Sequence, residues 1–213
     1  MTDRDRRTFL AGMAVSALAT TGARAQGGRQ MTRIEFETTA YTGAITGSGA
    51  PARWELLADP TAPTKAKVLA QTSTDNTDNR FPLAILAEPT SADIDVSVKF
   101  KPVAGKVDRA AGIALRLSDA NNYYVVRANA LEDNVRLYKV VKGQRLQFAG
   151  ANLKVPSGTW QELRLTAGGS RFEVFLNGKS LYDATDATFT TAGRVALWTK
   201  SDSVTYFDDL RIA

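Results

Sequence analysis

The sequence predicts an all-β fold, with antiparallel strands arranged as a sandwich or barrel. After Arg80, apolar and polar residues alternate almost wholly with period two. Turn signals separate many of these segments at roughly the 8–12-residue spacing of all-β domains. No long segment beyond residue 25 repeats its apolar residues every 3.6 positions, and no helix-length segment alternates with a strand. A parallel nucleotide-binding sheet is therefore not expected. Neither a GxGxxG nor a P-loop motif is present, and there is no internal repeat.

The chain opens with an export pattern. Arg6 and Arg7, followed by Thr8, Phe9 and Leu10, form the twin-arginine signature of bacterial export signals. A weakly apolar stretch runs from Leu10 to Leu18, and Ala23-Arg24-Ala25 is a small-x-small cleavage site before Gln26. The expectation is a signal peptide over residues 1–25 and a periplasmic or secreted protein. The apolar stretch is shorter than the roughly 20 residues that cross a bilayer, and no other run approaches that length, so membrane insertion is not expected.

Residues 26–50, rich in Gly, Thr, Ser and Ala, read as a flexible segment, with an early edge strand at Ile34 to Thr38. The folded domain is expected over residues 51–213. Asp59-Pro60-Thr61-Ala62-Pro63-Thr64 and Ser73 to Arg80 are loops. Between Ala92 and Phe100, Ile94, Val96, Val98 and Phe100 take one face and Asp93, Asp95, Ser97 and Lys99 the other. Ala110 to Leu117 sets Ile113, Leu115 and Leu117 on one face. Asn122 to Ala128 is a Tyr and Val run of high strand propensity. Val135 to Val141 leads through Lys142-Gly143-Gln144, a hairpin signal, into Arg145 to Ala149. Trp160 to Thr166 and Arg171 to Leu176 follow. Asn177-Gly178 predicts a type I′ turn into Ser180 to Tyr182. Arg194 to Thr199 and Val204 to Ile212 complete a set of ten to thirteen strands.

Composition narrows the chemistry. The chain has 27 Lys plus Arg, 22 Asp plus Glu, no Cys and no His. Loss of residues 1–25 would remove Arg4, Arg6, Arg7 and Arg24 with Asp3 and Asp5, lowering the formal charge from +5 to +3. The remaining basic residues are scattered over alternating segments, so no nucleic-acid stripe is expected. Without Cys there are no disulfides and no thiolate metal sites. Without His there is no Ser-His-Asp or Cys-His mechanism and no HExxH zinc site. A metal would need oxygen ligands, which favours calcium.

Several segments together carry a family resemblance. They are Gly112 to Asp119, Asn121 to Arg127, Asn134 to Lys139, Val155 to Trp160, Phe175 to Lys179, Gly193 to Lys200 and Asp202 to Leu210. Over about residues 54–213 the sequence resembles the laminin-G-like, concanavalin A-like jelly rolls of exported bacterial proteins. It is most similar to the 3-keto-disaccharide hydrolase-like domains. The resemblance implies an antiparallel two-sheet jelly-roll sandwich, in which the concave sheet of related families often holds sugar. The architecture hosts lectins, glycosidases and domains of other roles. Two departures weigh against catalysis: the missing His, and the missing Glu-x-Asp-x-x-Glu strand of family 16 glycosidases.

The candidate ligand-binding residues are Arg116, Arg127, Tyr138, Trp198 and Lys200, with Asn129 in the same set. Most lie on strands otherwise rich in apolar residues. A sugar needs an aromatic ring for its C–H face and donors for its hydroxyls. The competing reading makes Trp198 core and pairs the arginines with nearby acids. For convergence, Arg116 and Arg127 must share a face of neighbouring strands. Asp93 and Asp95, two residues apart on one strand, are either a carboxylate pair at glycosidase spacing or a solvated edge. Glu132 and Asp133 are loop charges that would rim a sugar site. Asp208 is the candidate ligand for a structural calcium.

Three functions remain open. The first is a carbohydrate-binding domain, which the absence of His favours. The second is a hydrolase or lyase acting on glycosides or 3-keto-glycosides through carboxylates with an oxygen-ligated metal. The third is a structural or interaction module without a small ligand.

Overall fold

A computed structural model describes residues 30–65 and 67–213. The twin-arginine pattern and the cleavage site lie outside the described residues. The described residues form strands and no helix: β1 (Thr32–Ile34), β2 (Tyr41–Gly47), β3 (Trp54–Ala58), β4 (Lys67–Gln71), β5 (Arg80–Ser91), β6 (Ile94–Ala104), β7 (Ala110–Asp119), β8 (Asn122–Asn129), β9 (Asn134–Val141), β10 (Gln144–Asn152), β11 (Gln161–Gly168), β12 (Arg171–Leu176), β13 (Lys179–Thr185), β14 (Gly193–Trp198) and β15 (Val204–Ile212).

These pair antiparallel into two sheets. One has the order β13-β12-β11-β6-β15-β4-β3, with β1 also on β15; the other has the order β10-β9-β8-β7-β14-β5-β2. The expected strand sandwich is present, with one correction at its start. Residues 26–50 are not a flexible segment where described. Within them β1 pairs with β15 and β2 pairs with β5, one strand in each sheet. The early strand lies at Thr32–Ile34, and the chain turns over the following residues, where Thr39 N–H donates to the Glu35 carbonyl.

The inward faces of the two sheets make the main core. From the eight-stranded sheet come Val96, Val98, Phe100, Leu165, Val174 and Phe207; from the seven-stranded sheet come Ile113, Leu115, Tyr124, Val126, Leu137 and Leu197. Fully burying one such side chain contributes about 1.5–3 kcal/mol. The alternation of β6 is read correctly from sequence: Ile94, Val96, Val98 and Phe100 all point inward.

The seven-stranded sheet is apolar on its outer face as well. Phe81, Leu83, Ala114, Tyr123, Val125, Tyr138, Val140, Ala196 and Trp198 form a second buried cluster drawn from this sheet alone. That second cluster underlies the candidate site. Leu117 belongs to it, not to the face of Ile113 and Leu115 as the alternation predicts, because the β7–β8 register shifts between Leu115 and Asp119. An irregularity of that kind reverses the facing of the residues beyond it.

Candidate functional site

The floor of the site is a row of register partners across the seven-stranded sheet: Arg127 on β8, Gly112 on β7, Trp198 on β14 and Leu83 on β5. Gly112 leaves the row open beside Trp198. A Cβ there would stand 3.2 Å from the indole Cε3 and 2.7 Å from the Val126 carbonyl oxygen. The Trp198 Nε1–H donates to the Tyr123 hydroxyl at 3.2 Å, and that hydroxyl lies 2.8 Å from Thr46 Oγ1. Burial pushes the Tyr123 phenol up to about 12. Phe81 stacks on Trp198 with centroids 5.4 Å apart.

Above this floor the β9–β10 hairpin supplies two side chains. Lys142 and Gly143 have φ of 50° and 79°, the left-handed pair that a two-residue turn requires. The turn sets Arg145 opposite Val140, hence on the face of Val140 and Tyr138. The Arg145 guanidinium carbon sits 4.5 Å from the Tyr138 ring centroid, 4.7 Å from Phe81 and 5.8 Å from Trp198. Cation–π attraction to three rings holds it there. Its Nη1 is buried without a hydrogen-bond partner, and it forms no ion pair among the described residues.

Arg127 approaches the same Tyr138 ring, with its guanidinium carbon 5.7 Å from the centroid. Its Nη2 donates to Glu132 Oε2 at 2.8 Å and to Asn134 Oδ1 at 2.6 Å, while its buried Nε has no partner. Burial raises the Glu132 pKa. The hydrogen bonds from Arg127 and Asn134 outweigh it and hold the carboxyl at about 2.

A second charged pair borders the floor. Lys200 Nζ lies 2.6 Å from Asp108 Oδ2 and also pairs with the exposed Asp78. Asp108 is fully buried and accepts from Asn129 Nδ2 at 2.5 Å. Burial raises the Asp108 pKa, and Lys200 offsets only part of that. Burial lowers the Lys200 pKa, but its two carboxylate partners outweigh it and the ammonium is strengthened. The Asp202 carboxylate accepts from the amides of Lys106 and Asp108 at 2.6 and 2.9 Å, which pins the loop that presents Asp108.

Four of the five candidate binding residues therefore gather on one face: Arg127, Tyr138, Trp198 and Lys200. Trp198 is fully buried, so it is floor and not an open stacking surface. Arg116 is not brought together with them. At the irregularity in β7 it adopts φ 51°, and its guanidinium lies over the inward-facing rings of Tyr124 and Phe172 at 5.9 and 5.4 Å. There it donates to the carbonyls of Ala92, Phe189 and Gly169 at 2.8, 2.7 and 2.6 Å. Arg116 and Arg127 do not share a face.

The remaining acids are also engaged. Asp95 accepts from Arg164 Nε at 2.8 Å, and Asp93 accepts from the Gly169 amide at 2.8 Å just before β6. Asp133 turns away from Glu132 to meet Lys154 and the Val155 amide. Asp208 accepts from Thr64 N and Oγ1 at 2.9 and 2.6 Å and from the Asp209 amide. Among the described residues no group of three or more His, Cys, Asp or Glu side chains gathers to hold a metal ion.

Sequence reasoning missed Phe81, Asp108 and Arg145. Arg145 was within reach of it, because partners across a two-residue hairpin share a face. Phe81 follows a polar loop and opens a continuous apolar run without alternation. Asp108 sits in a loop that no periodicity marks.

The sequence matches a family described as a 3-keto-alpha-glucoside-1,2-lyase-like domain over residues 43–213. No curated protein matches it. Among solved structures, the carbohydrate binding module CBM66 from Bacillus subtilis is similar at TM-score 0.62 and 18% identity, over 79% of this chain and 92% of its own. A Bacillus subtilis protein of unknown function with a galectin-like fold reaches TM-score 0.57 at 10% identity, over 80% and 88%. The GH43 protein BlXynB from Bacillus licheniformis, as a mutant, reaches 0.51 at 12% identity, over 70% of this chain and 33% of its own. These likenesses show the fold, an antiparallel two-sheet jelly roll.

Proposed function

The chain belongs to the 3-keto-alpha-glucoside-1,2-lyase-like domain family, and from that membership we propose that it binds a glycan on the outer face of its seven-stranded sheet. The observation that carries this reading is the guanidinium of Arg145, held over the Tyr138, Phe81 and Trp198 rings on a side chain that is only partly buried. From there it can donate to a ligand hydroxyl at the surface of the sheet. Tyr138 and Phe81 are buried with Trp198 and form the floor beneath Arg145, and the carboxylate of Glu132 accepts from hydroxyls at the rim. The likeness to the carbohydrate binding module CBM66 supports the same reading.

Binding is favoured over turnover by the state of Asp108. It is the acid on this face whose proton affinity is raised, yet it is fully buried, with one oxygen on Asn129 and the other on Lys200. A proton acceptor must come within hydrogen-bond reach of the proton it takes. The Arg6-Arg7 pattern and the cleavage site at Ala25-Gln26 support export, which would place the encounter with the glycan in the periplasm or outside the cell.

The test is calorimetric titration of the full chain with neutral, acidic and 3-keto glycans, repeated with Arg127→Ala. At least one glycan binds the parent, and the variant binds it at least tenfold more weakly. Absence of binding across the panel, or equal affinity of the variant, overturns the proposal.

A further inference from the structure

Resting on the glycan-binding reading, we propose that the site takes an acidic sugar, with Arg145 reading an oxyanion group on it. The shared chemistry is a carboxylate, as on a uronic acid, or a sulfate ester.

The charge arrangement carries this. Lys200, Arg127, Arg136 and Arg145 are among the cations on the outer face of the seven-stranded sheet. Lys200 is matched by Asp108 at 2.6 Å and Arg127 by Glu132 at 2.8 Å. Arg145 has no carboxylate among the described residues, and the second acid beside Lys200, Asp78, is solvated with a side chain 78% exposed. Arg145 and Arg136 on this face therefore have no ion pair among the described residues, and Asp108 reaches Arg145 only at longer range. Burial lowers the proton affinity of Arg145, Tyr138 and Asp108 raise it and Arg127 adds repulsion, although an arginine stays protonated in proteins.

The geometry then narrows the ligand. Both guanidiniums lie against one ring, that of Tyr138, at 4.5 and 5.7 Å from its centroid. Each has a buried nitrogen with no partner, Nη1 on Arg145 and Nε on Arg127. A neutral hydroxyl would satisfy a donor and leave the charge. An oxyanion at the partly exposed Arg145 guanidinium supplies a negative charge, with the charge-assisted strength that guanidinium–carboxylate and guanidinium–sulfate contacts have. Arg145 stands on the edge strand β10 and is only partly buried, so it can adjust to the ligand without disturbing the floor.

The experiment titrates the full chain with a galacturonate trisaccharide, a sulfated galactose trisaccharide and the neutral galactose trisaccharide, at low and high salt. The expected result is at least tenfold preference for one acidic ligand, reduced by salt, with the stronger of the two identifying carboxylate or sulfate. Arg145→Gln abolishes that preference while keeping the parent's thermal unfolding. Glu132→Gln, which removes the competing negative charge at Arg127, raises acidic affinity. Equal affinity for acidic and neutral ligands, or an unchanged preference in Arg145→Gln, overturns the acidic-sugar proposal and leaves glycan binding standing. Binding of none of the three, nor of any other glycan, overturns both.

Discussion

Trp198 and Gly112 are register partners on adjacent strands, and the indole Cε3 comes within 3.2 Å of where a Cβ on residue 112 would lie. The bare backbone at Gly112 is thus part of how the aromatic floor is set. Gly112→Ala would also bring its methyl to 2.7 Å from the Val126 carbonyl. Overpacking of this kind costs about 1–3 kcal/mol. The expected outcome is a lower unfolding midpoint in thermal denaturation, together with weaker glycan binding as the floor tilts. An unchanged midpoint contradicts the packing.

Arg116 ties three chain segments together through the carbonyls of Ala92, Phe189 and Gly169. Arg116→Met leaves the carbonyls of Ala92, Gly169 and Phe189 without their charged donor. Loss of such bonds to a charged group costs about 3 kcal/mol. Denaturant unfolding should show that loss, while glycan affinity stays at the parent value. A glycan-specific defect with unchanged stability would return Arg116 to the binding site.

The Arg127–Glu132 pair makes stability depend on pH. The folded carboxyl titrates at about 2 against an ordinary 4.5, so the fold prefers the ionised form. Its contribution is complete above pH 4.5 and is lost as pH falls toward 2. Glu132 is 47% exposed in its side chain, so solvent screening keeps the effect below about 1 kcal/mol. Glu132→Gln should be the less stable protein at neutral pH and should converge with the parent near the acid limit. Denaturant melts across that range check this; a gap that widens toward low pH has the wrong sign.

The parts of the fold that sequence made legible are those with one dry face. β6 alternates because its inward residues meet the opposite sheet while Asp95 and Lys99 stay at the surface. β5 hides its strand character because both faces are covered. Leu83 and Ile85 join the outer cluster, Ala84 and Leu86 the inner one, and the result is a continuous apolar run. β2, with two Gly and two Thr among seven residues, resembles a linker until β5 pairs with it. At the site, Arg127, Tyr138, Trp198 and Lys200 were readable as polar or aromatic interruptions of apolar strands. Arg116 satisfied the same pattern, and only the irregularity at its own position, which no alternation reveals, turns it to the other side.

The central claim is that a glycan is held on the outer face of the seven-stranded sheet and nowhere else on the sandwich. Amide chemical-shift mapping by nuclear magnetic resonance during titration with a bound glycan tests it most directly. The account predicts that the largest shifts fall on Arg127, Tyr138, Arg145 and Lys200, with β11, β12 and β13 unmoved. Largest shifts on β11 to β13, or shifts spread evenly over both sheets, would contradict it.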